Sequence, residues 1–138
     1  MDGNVIDFPD RKAEQYVVLV VDDEYLMRGV LSEILRDCGF HVIAAASAEE
    51  AIQFLSKLVH IDVVFSDIKM PDMDGFELAR WVHANKPDIP VILASGYSGK
   101  TSMAADLCGA QFIKKPYDFD NIVHQIRETA SRKRPLHS

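Results

Sequence analysis

The sequence predicts an α/β fold: a (βα)5 chain, doubly wound into a five-stranded parallel sheet with helices on both faces. Three observations carry that prediction. Short apolar runs rich in β-branched residues recur five times. Amphipathic stretches of helical period separate them. The 138 residues suit one compact domain with a substantial core.

The elements follow in order. Residues 1–15 are polar, contain Pro9 and show no period, and read as a mobile N-terminal lead-in. The strands are β1, YVVLVV (16–21); β2, FHVIAA (40–45); β3, IDVVFS (61–66); β4, PVILAS (90–95); and β5, AQFIKK (110–115). Their apolar residues run on without alternating, the pattern of strands covered on both faces of a parallel sheet. Only β5 is charged at its end. Helix α1 carries Leu26, Val30, Ile34 and Leu35 at helical spacing and stops at Cys38-Gly39, with Gly39 as the C-terminal cap. Helix α2 opens on a capping box, Ser47-Ala48-Glu49-Glu50, and sets Ala51, Phe54, Leu55 and Leu58 on one face. Helix α3 carries Phe76, Leu78, Ala79 and Val82 and stops before Pro87. Helix α4 is the weaker stretch 100–108, with two glycines just ahead of it. Asp118 caps α5, which carries Phe119, Ile122, Val123 and Ile126. Right-handed crossovers then distribute the helices over both faces. The domain is expected over 16–131, followed by a basic tail over 132–138.

Composition narrows the function classes. Hydrophobic residues are 48% and charged ones 26%, an ordinary soluble balance. No apolar run approaches the ~18 residues of a membrane span. The start, MDGNVIDFPD, lacks the basic and apolar regions of a secretory signal. A net charge of −6 argues against a general nucleic-acid binder. Cys38 and Cys108 form neither a disulfide framework nor a metal cluster, and are expected to be reduced in a cytoplasmic protein. At this length no separate DNA-binding or catalytic domain is expected beside the one domain, so output is expected through protein contacts of its own surface.

In an open parallel sheet, ligands bind beyond the carboxyl ends of the strands. There β1 delivers Asp22 and Asp23, β3 delivers Asp67, β4 delivers Ser95, and β5 delivers Lys114 and Lys115. Three carboxylates at one spot repel each other unless a cation neutralises them. All-oxygen ligands suit a hard ion such as Mg2+, which keeps several waters and takes few carboxylates. Open positions on that ion imply a phosphate, to which Ser95 donates and with which Lys115 pairs. No P-loop and no dinucleotide fingerprint occurs, so no nucleotide is indicated. Asp67, alone at its strand end, is then the best carboxylate acceptor of a phosphoryl group.

With those residues in place, the chain resembles the receiver domain of two-component response regulators. LVVDDE, FSDIKMPDMDGFEL, ILASGYS and FIKKPY carry the resemblance, in order and spacing, over roughly residues 16–130. The resemblance implies a flavodoxin-like sheet of order 2-1-3-4-5. It implies Asp67 as phosphoacceptor. It implies a Mg2+ site (Mn2+ also suits it) of Asp23, Asp67 and the Lys69 backbone carbonyl, with Asp22 acting mainly through water. It implies Ser95 and Lys115 at the phosphoryl group, Ser95 and Phe112 as switch residues, and a cis peptide bond at Pro116. Phe112 stands where the family often has Tyr, and lacks the phenolic hydroxyl. The resemblance also implies that Lys69 and Tyr97 occupy the positions flanking the phosphoryl group, where they tune its lifetime. The wording SGYS and KKPY is most similar to stand-alone or hybrid-kinase-type receivers.

The function this implies is Mg2+-dependent phosphoryl transfer from phosphohistidine to Asp67 in a phosphorelay, switching the α4–β5–α5 surface. The implied partners are a sensor histidine kinase or His-containing phosphotransfer protein and a downstream protein, with no direct DNA binding and no membrane. The chain is expected as a monomer or weak dimer, and as no enzyme beyond assisting its own phosphorylation and dephosphorylation. Two other classes remain: a Mg2+-dependent Asp-nucleophile phosphohydrolase, and a phosphorylation-independent interaction module. Asp72 and Asp74 read as loop residues, since Asp-Gly favours a turn. Lys114 reads as a solvated lysine, Met70 and Met73 as packing or loop residues, and Trp81 and Phe76 as core or partner surface.

Overall fold

The structure, a computed structural model, describes residues 16–57, 59–96, 109–115 and 118–133. The expected lead-in, Tyr97, α4 and Pro116 lie outside these residues, as does the end of the tail from 134. The strands are β1 Val17–Val21, β2 His41–Ala45, β3 Val63–Asp67, β4 Val91–Ser95 and β5 Gln111–Lys114. The described helices are α1 Tyr25–Asp37, α2 Ala48–Leu55, α3 Gly75–Asn85 and α5 Phe119–Lys133. All strand pairs are parallel, in the order β2-β1-β3-β4-β5.

The continuous apolar runs resolve into two cores, because successive strand side chains point to opposite faces. Leu19, Val21, Val64 and Leu93 face α2 and α3. Val18, Val20, Val63, Phe65 and Ile92 face α1 and α5. Leu19 and Ile92 are fully buried, each stabilising the fold by about 1.5–3 kcal/mol. The edge strands β2 and β5 are only partly covered.

Helix ends follow local chemistry. Gly39, at φ 99°, closes α1 in a Schellman motif: Phe40 N–H donates to Leu35 O and Gly39 N–H to Arg36 O. The capping box expected at α2 is half formed. Glu50 N–H donates to Ser47 Oγ, but the Glu50 carboxylate accepts from Ala46 N–H, one residue ahead of the cap. A complete capping box stands instead on α3, where Asp74 Oδ1 accepts from Glu77 N–H and Glu77 Oε1 accepts from Asp74 N–H. Asp74 is therefore a helix cap, while Asp72, at φ 64°, takes the left-handed turn position.

Helix α1 buries only part of the face its spacing suggests: Leu35 is in the core and Ile34 packs against it. Leu31, Ser32 and Leu35 are buried, whereas Leu26 and Val30 are 74% and 46% exposed. Apolar residues lie on two neighbouring stripes of this helix, and periodicity alone does not choose between them. At the other end, α5 runs through Lys133 and takes in the first residues of the expected basic tail, with Arg132 paired to Glu128 at 3.6 Å. Among the described residues, no helix is long and apolar enough to cross a membrane.

Candidate functional site

Register builds the site. Between β1 and β3 the ladder ends on Val21 opposite Ser66, so Asp22 and Asp67 come next on adjacent strands. These strands flank the point where the strand order reverses, which opens a crevice at their carboxyl ends. Asp67 pairs with Ala94, which sets Ser95 one step beyond it on β4. Ser95 pairs with Lys114, and Ser95 O accepts from Lys115 N–H at 2.7 Å. Four strands thus deliver Asp22, Asp67, Ser95 and Lys115 to one edge.

Ligand oxygens of Asp22, Asp23 and Asp67 all lie within 4.8 Å of one another. Lys115 Nζ donates to Asp67 Oδ1 at 2.9 Å, and Ile68 N–H donates to the same oxygen at 3.0 Å. No donor among the described residues reaches Asp67 Oδ2. Asp22 is 4% exposed, and burial pushes its carboxyl above the ordinary value. The Glu24 N–H bond opposes that shift, the Asp67 charge adds to it, Lys115 opposes it, and Asp23 adds to it. One lysine beside three converging carboxylates leaves a surplus of negative charge. An all-oxygen set of this kind fits a hard divalent cation.

A cleft of about 730 Å3 opens beside Asp67, with Lys69, Asp72, Phe76, Ser95 and Lys115 among its walls. Ser95 itself is buried, and Lys114 is exposed. Phe112 is half-buried with its ring edge-on to Phe76 of α3, centroids 6.4 Å apart. This places Phe76 between the cleft and the aromatic expected to switch. Met70 is buried in the core beside α2 and α3, with Met73 and Trp81 packed against the same cluster.

Two supports of the site escaped sequence reasoning. A Cβ on Gly75 would come within 2.5 Å of the Asp67 carbonyl oxygen, and Gly75 N–H donates to Ile68 O at 2.8 Å. Asp-Gly signalled a turn there; the signal for close approach to β3 lay in the fold, not in the dipeptide. Arg28 Nη1 donates to the backbone carbonyl of Asp22 at 2.8 Å. An arginine one turn into an amphipathic helix carries no local mark of such a bond.

The sequence profile of the response regulator receiver domain matches residues 18–127. The C4-dicarboxylate transport transcriptional regulatory protein DctD of Rhizobium meliloti is 38% identical over 120 residues, 85% of this chain and 26% of that protein. The chain thus spans about a quarter of the length of the transcriptional regulators it matches. The chemotaxis protein CheY of Listeria monocytogenes is 34% identical over 118 residues, 82% of this chain and 97% of that protein. Among solved structures, the response regulator protein TrrA of Thermotoga maritima, in complex with Mg2+-BeF, matches with a TM-score of 0.74 and 30% identity. That match covers 83% of this chain and 99% of TrrA.

Proposed function

The chain belongs to the response regulator receiver family, a signalling module of two-component systems, and on that premise we propose that Asp67 is its phosphoacceptor. One observation carries the reading: Asp22, Asp23 and Asp67 converge within 4.8 Å while Lys115 holds one oxygen of Asp67. Asp23, Asp67 and the Lys69 carbonyl would hold Mg2+, or Mn2+ of the same charge, with Asp22 acting mainly through water. When bound, the cation supplies neutralisation of charge on the transferring phosphoryl oxygens.

The remaining chemistry belongs to the chain. A carboxylate oxygen of Asp67 attacks the phosphorus of a phosphohistidine. The P–O bond forms as the P–N bond breaks, and the departing imidazole takes up a proton from solvent. Lys115 pairs with one phosphoryl oxygen and the Ser95 hydroxyl donates to another, so catalysis is positioning plus charge stabilisation. Lys69, on the wall of the cleft, and Tyr97, which lies outside the described residues, are the pair taken to tune the lifetime of the phosphoryl group. Movement of Ser95 and Phe112 toward the aspartyl phosphate then shifts the population of the α4–β5–α5 face. The donor is a sensor histidine kinase or His-containing phosphotransfer protein in the cytoplasm, and the target is a downstream protein. The domain works as a monomer or weak dimer, binds no DNA directly, and catalyses only its own phosphorylation and dephosphorylation.

Mass spectrometry after incubation with Mg2+ and acetyl phosphate tests the assignment. The wild type gains one phosphoryl group and Asp67→Asn gains none. Equal labelling of Asp67→Asn makes Asp67 the wrong acceptor, and steady turnover of small phosphate esters makes the chain a phosphohydrolase.

A further inference from the structure

The turn after β1 is clamped from a helix, and the geometry points to Arg28 as a positioning residue for the acidic site. This rests on reading that site as a divalent-cation site. Asp22 is held at three atoms. Its N–H donates to Ala45 O at 3.1 Å, its Oδ1 accepts from Glu24 N–H at 2.9 Å, and its carbonyl accepts from Arg28 Nη1 at 2.8 Å. The first two bonds fix Asp22 itself. The third fixes the peptide plane joining Asp22 to Asp23, which otherwise turns about the two soft dihedrals on either side of it.

That plane sets where Asp23 points. Asp23 is exposed, and no donor among the described residues reaches its carboxylate. Its direction is inherited from the backbone, and Arg28 is the side chain holding that backbone. Arg28 is well suited to the task. Its guanidinium lies over the Tyr25 ring, 5.5 Å from the centroid, so the side chain is pre-placed before it bonds. Among the described residues it forms no ion pair. Its bond goes to a carbonyl and leaves the three carboxylates for the cation.

The two things Arg28 brings act on Mg2+ with opposite signs. As a positive charge near the site it repels the ion, so removing it would tighten binding. As a clamp it pre-orients Asp23, so removing it loosens binding. Calorimetric titration of Mg2+ into the full chain at constant ionic strength separates them. Arg28→Met keeps the stem over Tyr25 but removes charge and donors. It is expected to weaken Mg2+ binding about tenfold, as loss of an outer partner of a ligand does, with only a small drop of the unfolding midpoint in EDTA, from the one hydrogen bond lost. Arg28→Lys, which keeps the charge and a donor, is expected to recover part of that affinity. Arg28→Gln serves as a second neutral variant should Arg28→Met not fold. Mg2+ binding by the neutral variants as tight as wild type, or tighter, overturns the clamp while the cation reading stands. A wild type that takes up no Mg2+ overturns both.

Discussion

Strand β3 has an aspartate just before it and another at its end, and the two live differently. Asp62 is fully buried, yet both its oxygens are satisfied locally: Oδ2 accepts from Val17 N–H at 2.8 Å and Oδ1 shares a hydrogen bond with His60 Nε2 at 2.7 Å. Asp67, at the carboxyl end of the strand, is less buried. It has two donors on one oxygen and none on the other among the described residues, and it shares its space with Asp22 and Asp23. Burial alone therefore does not mark a candidate acceptor carboxylate. What marks it is like charge gathered without enough local compensation, beside an open cleft.

Substitution at the two aspartates and around them separates the structural carboxylate from the site one. Asp62→Ala strands the Val17 N–H, while the exposed His60 ring turns to water, and is expected to cost about 2–3 kcal/mol of stability in urea unfolding. The folded fraction should still accept a phosphoryl group. A variant as stable as wild type would remove the structural half of the contrast. Gly75→Ala drives a methyl group into the Asp67 carbonyl. It is expected to cost about 2 kcal/mol and to slow phosphorylation, since loop and acceptor strand must move apart.

Mg2+ provides the next step. At ten times its dissociation constant it should stabilise the wild type by about 1.4 kcal/mol. Asp23→Asn should lose most of that gain while Asp62→Ala keeps it, as thermal unfolding with and without EDTA would show.

The smallest effect is stabilising. Asp22→Asn removes a desolvated charge and keeps an oxygen for the Glu24 N–H, so without metal it should raise stability by about 0.5–1 kcal/mol at neutral pH. The sign of the pH dependence follows from the raised carboxyl. The folded protein holds this proton more tightly than the unfolded chain. The cost of the charge is thus full at neutral pH and disappears as pH falls through the raised folded value toward 3.8. The advantage of Asp22→Asn should close over that window in urea unfolding at successive pH values. A gap independent of pH would mean that the carboxyl is not under strain.

Local chemistry was legible in the chain alone. Apolar runs, helical period and stop signals laid out β1 to β5 and the helices α1, α2, α3 and α5. Strand ends placed Asp22, Asp23, Asp67, Ser95 and Lys115 as candidates, because a parallel sheet collects its carboxyl termini on one side. Matters of angle and close approach were settled by the packing of elements far apart in the chain. Leu31 rather than Leu26 faces the core, because the helix had two apolar stripes and the sheet chose one. Asp74 caps α3, because Glu77 answers it across the first turn. Gly75 touches the acceptor strand, and Arg28 reaches the Asp22 carbonyl, because a helix and a strand end meet there. Such contacts join distant atoms through single hydrogen bonds and missing methyl groups, and neither leaves a periodic trace in the chain.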